Sequence, residues 1–265
     1  MPINSDKMKA LKLKIISCNV LWRELCYYAA LSPNTFEFQY LPWGLHRDPN
    51  ELRAELQKAV DGTPAGFDAI LLGYGLCSKG VEGISSRTTR LVIPRGHDCI
   101  TFFLGSRARY QAYFDAHPGT YWYTPGWIEN HLAPGKDRYE QTYAEYTAKF
   151  GEDNARYLME MEQDWFNKYS TAAYVDLSVG NADAHRAYTR QCADWLHWQY
   201  DDIQGDPSLL RRFVNGEWSG EDFLTVEPAH HIEATNDDSI VRSAPDENPG
   251  PAQADDSRAH SEPRE

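Results

Sequence analysis

Cys18, Cys77 and Cys99 each follow a short apolar run, and His97 lies two residues before Cys99. Thiolates are good ligands for zinc, copper(I) and iron–sulfur clusters, and imidazole suits zinc. Two or three cysteines with one histidine leave a position open for water or substrate. Three cysteines alone could hold an iron–sulfur cluster with one free iron. A single free cysteine is usually a small buried hydrophobe. Three at comparable places, one of them beside a histidine, point to a shared metal site, with zinc preferred because His97 is so close. The spacing is not that of a CxxC knuckle, so the signal is moderate. His230 and His231 are further candidates for a ligand or a general base. Adjacent residues rarely both point inward, so at most one of them faces a site.

The segment Gly73-Tyr74-Gly75-Leu76-Cys77-Ser78-Lys79-Gly80 invites a phosphate-loop reading. It fails, because Lys79 is followed by glycine and not by serine or threonine. It also fails the dinucleotide pattern, with Ser78 in the third glycine's place. The glycines fit a tight turn and close backbone approach. An anion at the following amides stays open. Cys77 to Tyr110 carries six cations against two acids, a net of +4 inside an acidic chain. Such a field would favour thiolates and could draw an anionic ligand, with Arg95, Arg107 and Tyr74 as contacts. A solvated face is the plain alternative. Tyr74 and Trp127 could form an apolar wall. Arg23-Glu24 could pair at its edge, and Asp98 suits the cap of the following helix.

Parallel strands would bring these residues together. Strands are expected over 13–17, 35–41, 67–73, 91–94, 120–123, 172–177 and 222–226, from short β-branched or aromatic runs. Asp48-Pro49-Asn50-Glu51 reads as a helix start. Helices are expected over 21–30, from Pro49 to Val60, from Cys99 to Ala116, over 183–199 and after Asp206-Pro207. Tyr139, Tyr143, Tyr146 and Phe150 form one helical stripe, and Tyr157, Met161, Trp165 and Tyr169 another; both are expected to pack in the core. Cys26 and Cys192 fall on helix faces and read as core. Alternating strands and helices imply an α/β fold, with parallel sheets and helices on both faces. Residues 13–125 and 170–233 look like two similar Rossmann-like halves around a cleft, with a helical insert over 135–169. Cys18, Cys77 and Cys99 would then share the carboxyl edge of one sheet, where ligands of such folds bind.

The chain has 265 residues and a formal charge of -13, which argues against general nucleic-acid binding. It has no run of eighteen apolar residues and no signal-peptide pattern, so no membrane association is expected. Five cysteines, an odd number, fit reduced thiols in a cytoplasm. Residues 1–12 read as an extension. Residues 234–265 hold eight acids, three arginines and four prolines, and read as a disordered acidic tail.

The blocks Leu72-Gly73-Tyr74-Gly75-Leu76-Cys77, Ile93-Pro94-Arg95-Gly96-His97-Asp98-Cys99-Ile100 and Leu104-Gly105-Ser106 resemble the domain-of-unknown-function 1638 family of bacteria and archaea. Pro118-Gly119-Thr120-Tyr121, Gly126-Trp127, and Cys18 with Glu24 fit as well. The resemblance covers roughly residues 12–232. It implies a neighbourhood of corrinoid proteins and their methyltransferases, hence one-carbon metabolism, and no assigned activity. Three functions follow as expectations. The first is a zinc-binding enzyme or accessory factor. The second is a non-catalytic module for a corrinoid, a tetrapyrrole or another anionic small molecule, which could serve a corrinoid-linked protein. The third is an iron–sulfur enzyme with a three-cysteine cluster.

Overall fold

In the computed structural model, which describes residues 10–246, the first expected strand is β1, Lys12–Cys18. Leu13 to Ser17 are all buried, as a central parallel strand requires. β1 pairs in parallel with β2 (Thr35–Leu41) on one side and β3 (Ala69–Gly73) on the other. β3 pairs in parallel with β4 (Leu91–Pro94). Helix α1 (Trp22–Ala30) joins β1 to β2, and α2 (Pro49–Asp61) joins β2 to β3. α2 starts as its residues dictate: Asp48 accepts from the amides of Asn50 and Glu51, and Pro49 takes the first position.

The helix expected from Cys99 to Ala116 is two helices, α3 (Ile100–Leu104) and α4 (Arg107–Ala116). The chain takes a left-handed turn at Gly105, whose open side is filled by Asp206, and Ser106 then caps α4. A second sheet follows, made of β5 (Thr120–Tyr123), β6 (Thr171–Asp176) and β7 (Gln199–Gln204), all parallel. α5 (Pro125–Asn130), α6 (Lys136–Phe150) and α7 (Glu152–Phe166) lie between β5 and β6, and α8 (Ala182–Leu196) between β6 and β7. β7 escaped the sequence reading because its residues are mostly polar; only Ile203 is buried, as suits an edge strand. α9 (Ser208–Asn215) leads to β8 (Phe223–Val226).

The fold is thus α/β, with parallel sheets flanked by helices. The expected pair of equivalent halves is not formed. The order β6-α8-β7-α9-β8 repeats that of β1-α1-β2-α2-β3, but β8 leaves the second sheet and pairs antiparallel with β4. The first sheet therefore runs β2-β1-β3-β4-β8. Alternate residues face two cores. Leu13, Ile15, Leu71 and Val92 pack with residues of α1, α3, α9 and β6, while Ile16, Ile70, Leu72 and Ile93 pack with α2.

Two expectations about apolar residues need correction. Neither aromatic stripe is core: α6 has no buried residue and Phe150 is exposed, and on α7 the buried residues are Ala155, Met159 and Phe166, while Tyr157, Met161 and Trp165 are exposed. Phe166 is the residue that Arg138 of α6 and Trp198 cover. Residues 234–246, expected as the start of the tail, are also structured. β9 (His230–Ala234) and β10 (Val241–Pro245) form an antiparallel hairpin, and Ile240 and Val241 are buried. Residues 1–9 and 247–265, the rest of the expected extension and tail, lie outside the described residues. Among the described residues, no helix is long and apolar enough to cross a membrane.

α5 sits close on the turn that follows β1. A Cβ at Gly126 would come within 1.8 Å of the Val20 carbonyl oxygen. Gly126→Ala must therefore push α5 off the turn. Urea unfolding of this variant should show a loss of about 3 kcal/mol, the upper part of the usual range for overpacking.

Candidate functional site

A cavity of about 430 Å³ opens at the carboxyl ends of the first sheet's strands. Each strand end contributes to it. Cys18 closes β1, Trp43 and His46 sit in the turn after β2, Tyr74 and Cys77 follow β3, and His97, Asp98 and Cys99 follow β4. Tyr121 and Trp122 of β5, Trp127 of α5, and Trp165 with Tyr169 form the rest of the wall.

The loops after β3 and β4 are joined backbone to backbone. The Leu76 amide donates to the Gly96 carbonyl at 2.8 Å, and the Cys77 amide donates to His97 at 3.0 Å. Gly75 permits this approach, since a Cβ there would lie 2.6 Å from the Asp98 nitrogen. The turn itself is not made by glycines. Cys77, Ser78 and Lys79 all adopt left-handed backbone, with φ of 46°, 54° and 70°. Such a conformation costs an L-residue about 1–2 kcal/mol. The Gly80 amide closes the turn on the Cys77 carbonyl, and Arg53 of α2 donates to the Lys79 and Glu82 carbonyls. Because the Leu76 and Cys77 amides are already bonded, they do not cradle an anion.

The expected positive field does not face the cavity. Arg95 donates to the carbonyls of Ser239, Val241 and Phe223, and so pins the hairpin. Arg107 donates to Asp238 and Glu221, and Arg109 to Gln204. Arg87 and Arg90 are exposed. Burial therefore governs the thiols. It pushes Cys18 up to about 11 and Cys77 up to about 12, the latter helped by Asp98 and Cys18. Cys99 is raised well above its usual range by burial, then by Asp98, Cys18 and Cys77. Burial thus works against the expected thiolates and favours the protonated form of all three, although each side chain keeps some exposure. The Tyr74 phenol, raised by burial, feels all three sulfurs.

Asp98 does accept from the Ile100 amide at 2.9 Å, as a helix-start residue should, and its other oxygen accepts from Tyr110 at 2.9 Å. Thr124 caps α5 by accepting from the Trp127 amide. Trp127 then stacks edge-on to Trp43, with ring centres 5.6 Å apart, and both contact His131. His131 is pushed down to about 4 by burial and by Arg138 and Arg47, and burial also lowers His46. Two buried polar atoms of the wall, the Tyr74 hydroxyl and Trp127 Nε1, have no partner.

The structure therefore brings Cys18, Cys77, Cys99, His97 and Tyr74 to one cavity. His97 is exposed and offers its carbonyl to Cys77. His230 lies apart on β9, its Nδ1 3.3 Å from the Pro228 carbonyl, and His231 faces Asp246. Cys26 contacts Tyr40, and Cys192 is buried on α8. Trp43 and His46 are cavity residues that carry no motif in the sequence; Pro42-Trp43 directly after β2 is the available signal. Trp165 and Tyr169, expected in the core, line the cavity instead. Among the described residues, no group of three or more His, Cys, Asp or Glu side chains is arranged to hold a metal ion.

Residues 40–214 match a family described as a protein of unknown function (DUF1638). The chain belongs to that family. The DUF1638 match takes in the cavity residues from Trp43 to Tyr169, including Cys77, His97 and Cys99; Cys18 precedes it. The chain matches no curated protein and no solved structure.

Behind the site, the expected Arg23-Glu24 pair is absent. Arg23 pairs with Glu129 at 2.6 Å, while Glu24 is fully buried with neither oxygen bonded. Burial, with Glu129 nearby, moves its carboxyl from 4.5 to about 8. The folded chain thus keeps a proton that the unfolded chain releases across that interval. Stability from this group is fully present below pH 4.5 and falls as pH rises toward 8. Glu24→Gln should flatten this fall in urea unfolding measured across that range.

The thiols supply a second test. In metal-free protein at pH 8, iodoacetamide should label Cys18, Cys77 and Cys99 about two orders of magnitude more slowly than in urea, where a free thiol titrates near 8.5. Peptide mass spectrometry reads the rates, and fast native labelling at all three would contradict the burial argument.

Proposed function

We propose that the protein is a soft-metal-binding enzyme or accessory factor, with zinc the favoured ion and Cys18, Cys77 and Cys99 as its ligands. One observation carries this reading: three cysteines from three separate strand ends reach the same cavity. Three thiols form a donor set of the right softness for zinc or an iron–sulfur cluster. His97 and His46 are the wall's imidazoles, and either would serve as fourth donor; His230 is too far removed to be retained. Binding requires the sulfurs to draw in around the ion and lose their protons, so uptake should weaken as pH falls. When bound, zinc would activate a thiol or polarise a substrate at this edge.

Around the ion, this chain's own residues have two tasks. The aromatic wall excludes water, and the joined loops after β3 and β4 hold Cys77 and Cys99 in fixed relation. Thiol-centred alkyl-group chemistry agrees with the one-carbon setting that the family resemblance implies. The cavity has the size of small-ligand sites. An intact corrinoid or tetrapyrrole exceeds it, so neither is proposed as an enclosed occupant.

Metal analysis of protein purified without oxygen tests the reading. One zinc per chain is expected, lost in Cys77→Ala. Iron with brown colour would favour the three-cysteine cluster instead. Folded protein that stays metal-free after exposure to both metals would sink the proposal.

A further inference from the structure

The thiols occupy only part of the cavity. Six aromatic residues from four separate stretches of chain also line it: Trp43, Tyr121, Trp122, Trp127, Trp165 and Tyr169. Trp165 is 45% exposed, although its ring meets those of Phe166 and Tyr169, each 5.0 Å away centre to centre. An aromatic wall of this kind offers flat faces for stacking. Two hydrogen-bond donors of the cavity lining lack an acceptor in good geometry: Tyr74 Oη, beside the thiols and only 3% exposed, and Trp127 Nε1, whose near neighbour is the Tyr121 phenol. A buried donor without an acceptor is costly, so these two groups specify what should meet them.

Charge narrows the occupant further. Among the described residues, Asp98 is the one acidic side chain that lines the cavity, and both its oxygens are already bonded. Arg47 lies over the Trp43 ring, 4.5 Å from its centre, and Arg138 stands 3.3 Å from His131. Arg138 is paired with Glu162 at 2.5 Å, so Arg47 is the cation that backs the wall, and among the described residues no unbonded carboxylate lines the cavity to receive a positive ligand.

We propose that this part of the cavity binds an uncharged, planar heteroaromatic ring carrying hydrogen-bond acceptors, which take the protons of Tyr74 Oη and Trp127 Nε1. The ring stacks between the tryptophans with its acceptor edge toward Tyr74, which places the adjoining substituent beside the thiols. The proposal rests on the cavity being a ligand site and does not require a metal in it.

Calorimetry on the full-length protein tests it, with hypoxanthine and quinoxalin-2-one as neutral ring probes and trimethylanilinium as a cationic ring. At least one neutral ring should bind, and the cation should bind at least about tenfold more weakly. Tyr74→Phe and Trp127→Phe should each weaken the neutral ring about tenfold, the effect of losing one hydrogen bond. Tyr74→Phe removes only an unpartnered hydroxyl, so the melting temperature of the free variant should not fall. Failure of both neutral rings to bind at millimolar concentration, equal binding of the cation, or unchanged affinity in both variants would overturn the proposal. Zinc measured on the same samples separates the two readings: ring binding to zinc-free protein keeps this one while the metal reading falls.

Discussion

Two backbone hydrogen bonds, from Leu76 to Gly96 and from Cys77 to His97, tie the loop after β3 to the loop after β4. Most of the candidate site depends on them. Parallel pairing already sets Ser17 opposite Gly73, so the strand ends reach the same edge together. Strand pairing stops there, and loops beyond a sheet are free to diverge. The two bonds extend the alignment past the strands, and Gly75 makes the room for them. They leave Cys77 and Cys99 on neighbouring turns instead of on separate excursions. The left-handed run from Cys77 to Lys79 then holds the thiol and the Ser78 side chain on the cavity side.

Burial decides the chemical state of that edge. The sequence places six cations near Cys77 and Cys99, and a reading by proximity assigns them an electrostatic role. In the folded chain Arg95, Arg107 and Arg109 instead satisfy backbone carbonyls of distant segments. Their guanidinium groups act as structural clamps for the hairpin and the second sheet. What remains around the sulfurs is mostly apolar surface, with a phenol, one bonded carboxylate, the Asn19 amide oxygen near Cys18 and the wall's two imidazoles. Neutral thiols are favoured as a result, and any process that needs a thiolate must first remove a proton.

Much of this was legible in the sequence. Strands buried on both faces announce themselves as short apolar runs, and β1, β3, β4 and β6 stand where they were expected. Asp48-Pro49 marked a helix start for a local reason that tertiary structure had no cause to override. The convergence of Cys18, Cys77 and Cys99 followed from strand ends alone. The misses are equally physical. β7 is an edge strand with a polar sequence, so hydrophobic periodicity has nothing to report. The stripe through Tyr157, Met161 and Trp165 has the right period, yet period does not say whether a partner exists for that face. The split of α3 from α4 turns on Gly105 meeting Asp206, a contact between residues distant in sequence.

β8 has a consequence of a different kind. It completes the first sheet by pairing Phe223–Val226 with Leu91–Pro94, strands separated by the whole second sheet and its helices. During synthesis, the β4 edge emerges long before its partner exists. Until then it presents an apolar strand with unpaired backbone groups, the usual template for pairing between chains. Closing it late and over so long a loop makes for slow folding, since distant contacts bring no gain until the chain between them is ordered. Production of this protein should therefore be limited by self-association of nascent or refolding chains, and lower temperature or a holding chaperone should raise the yield of folded molecules.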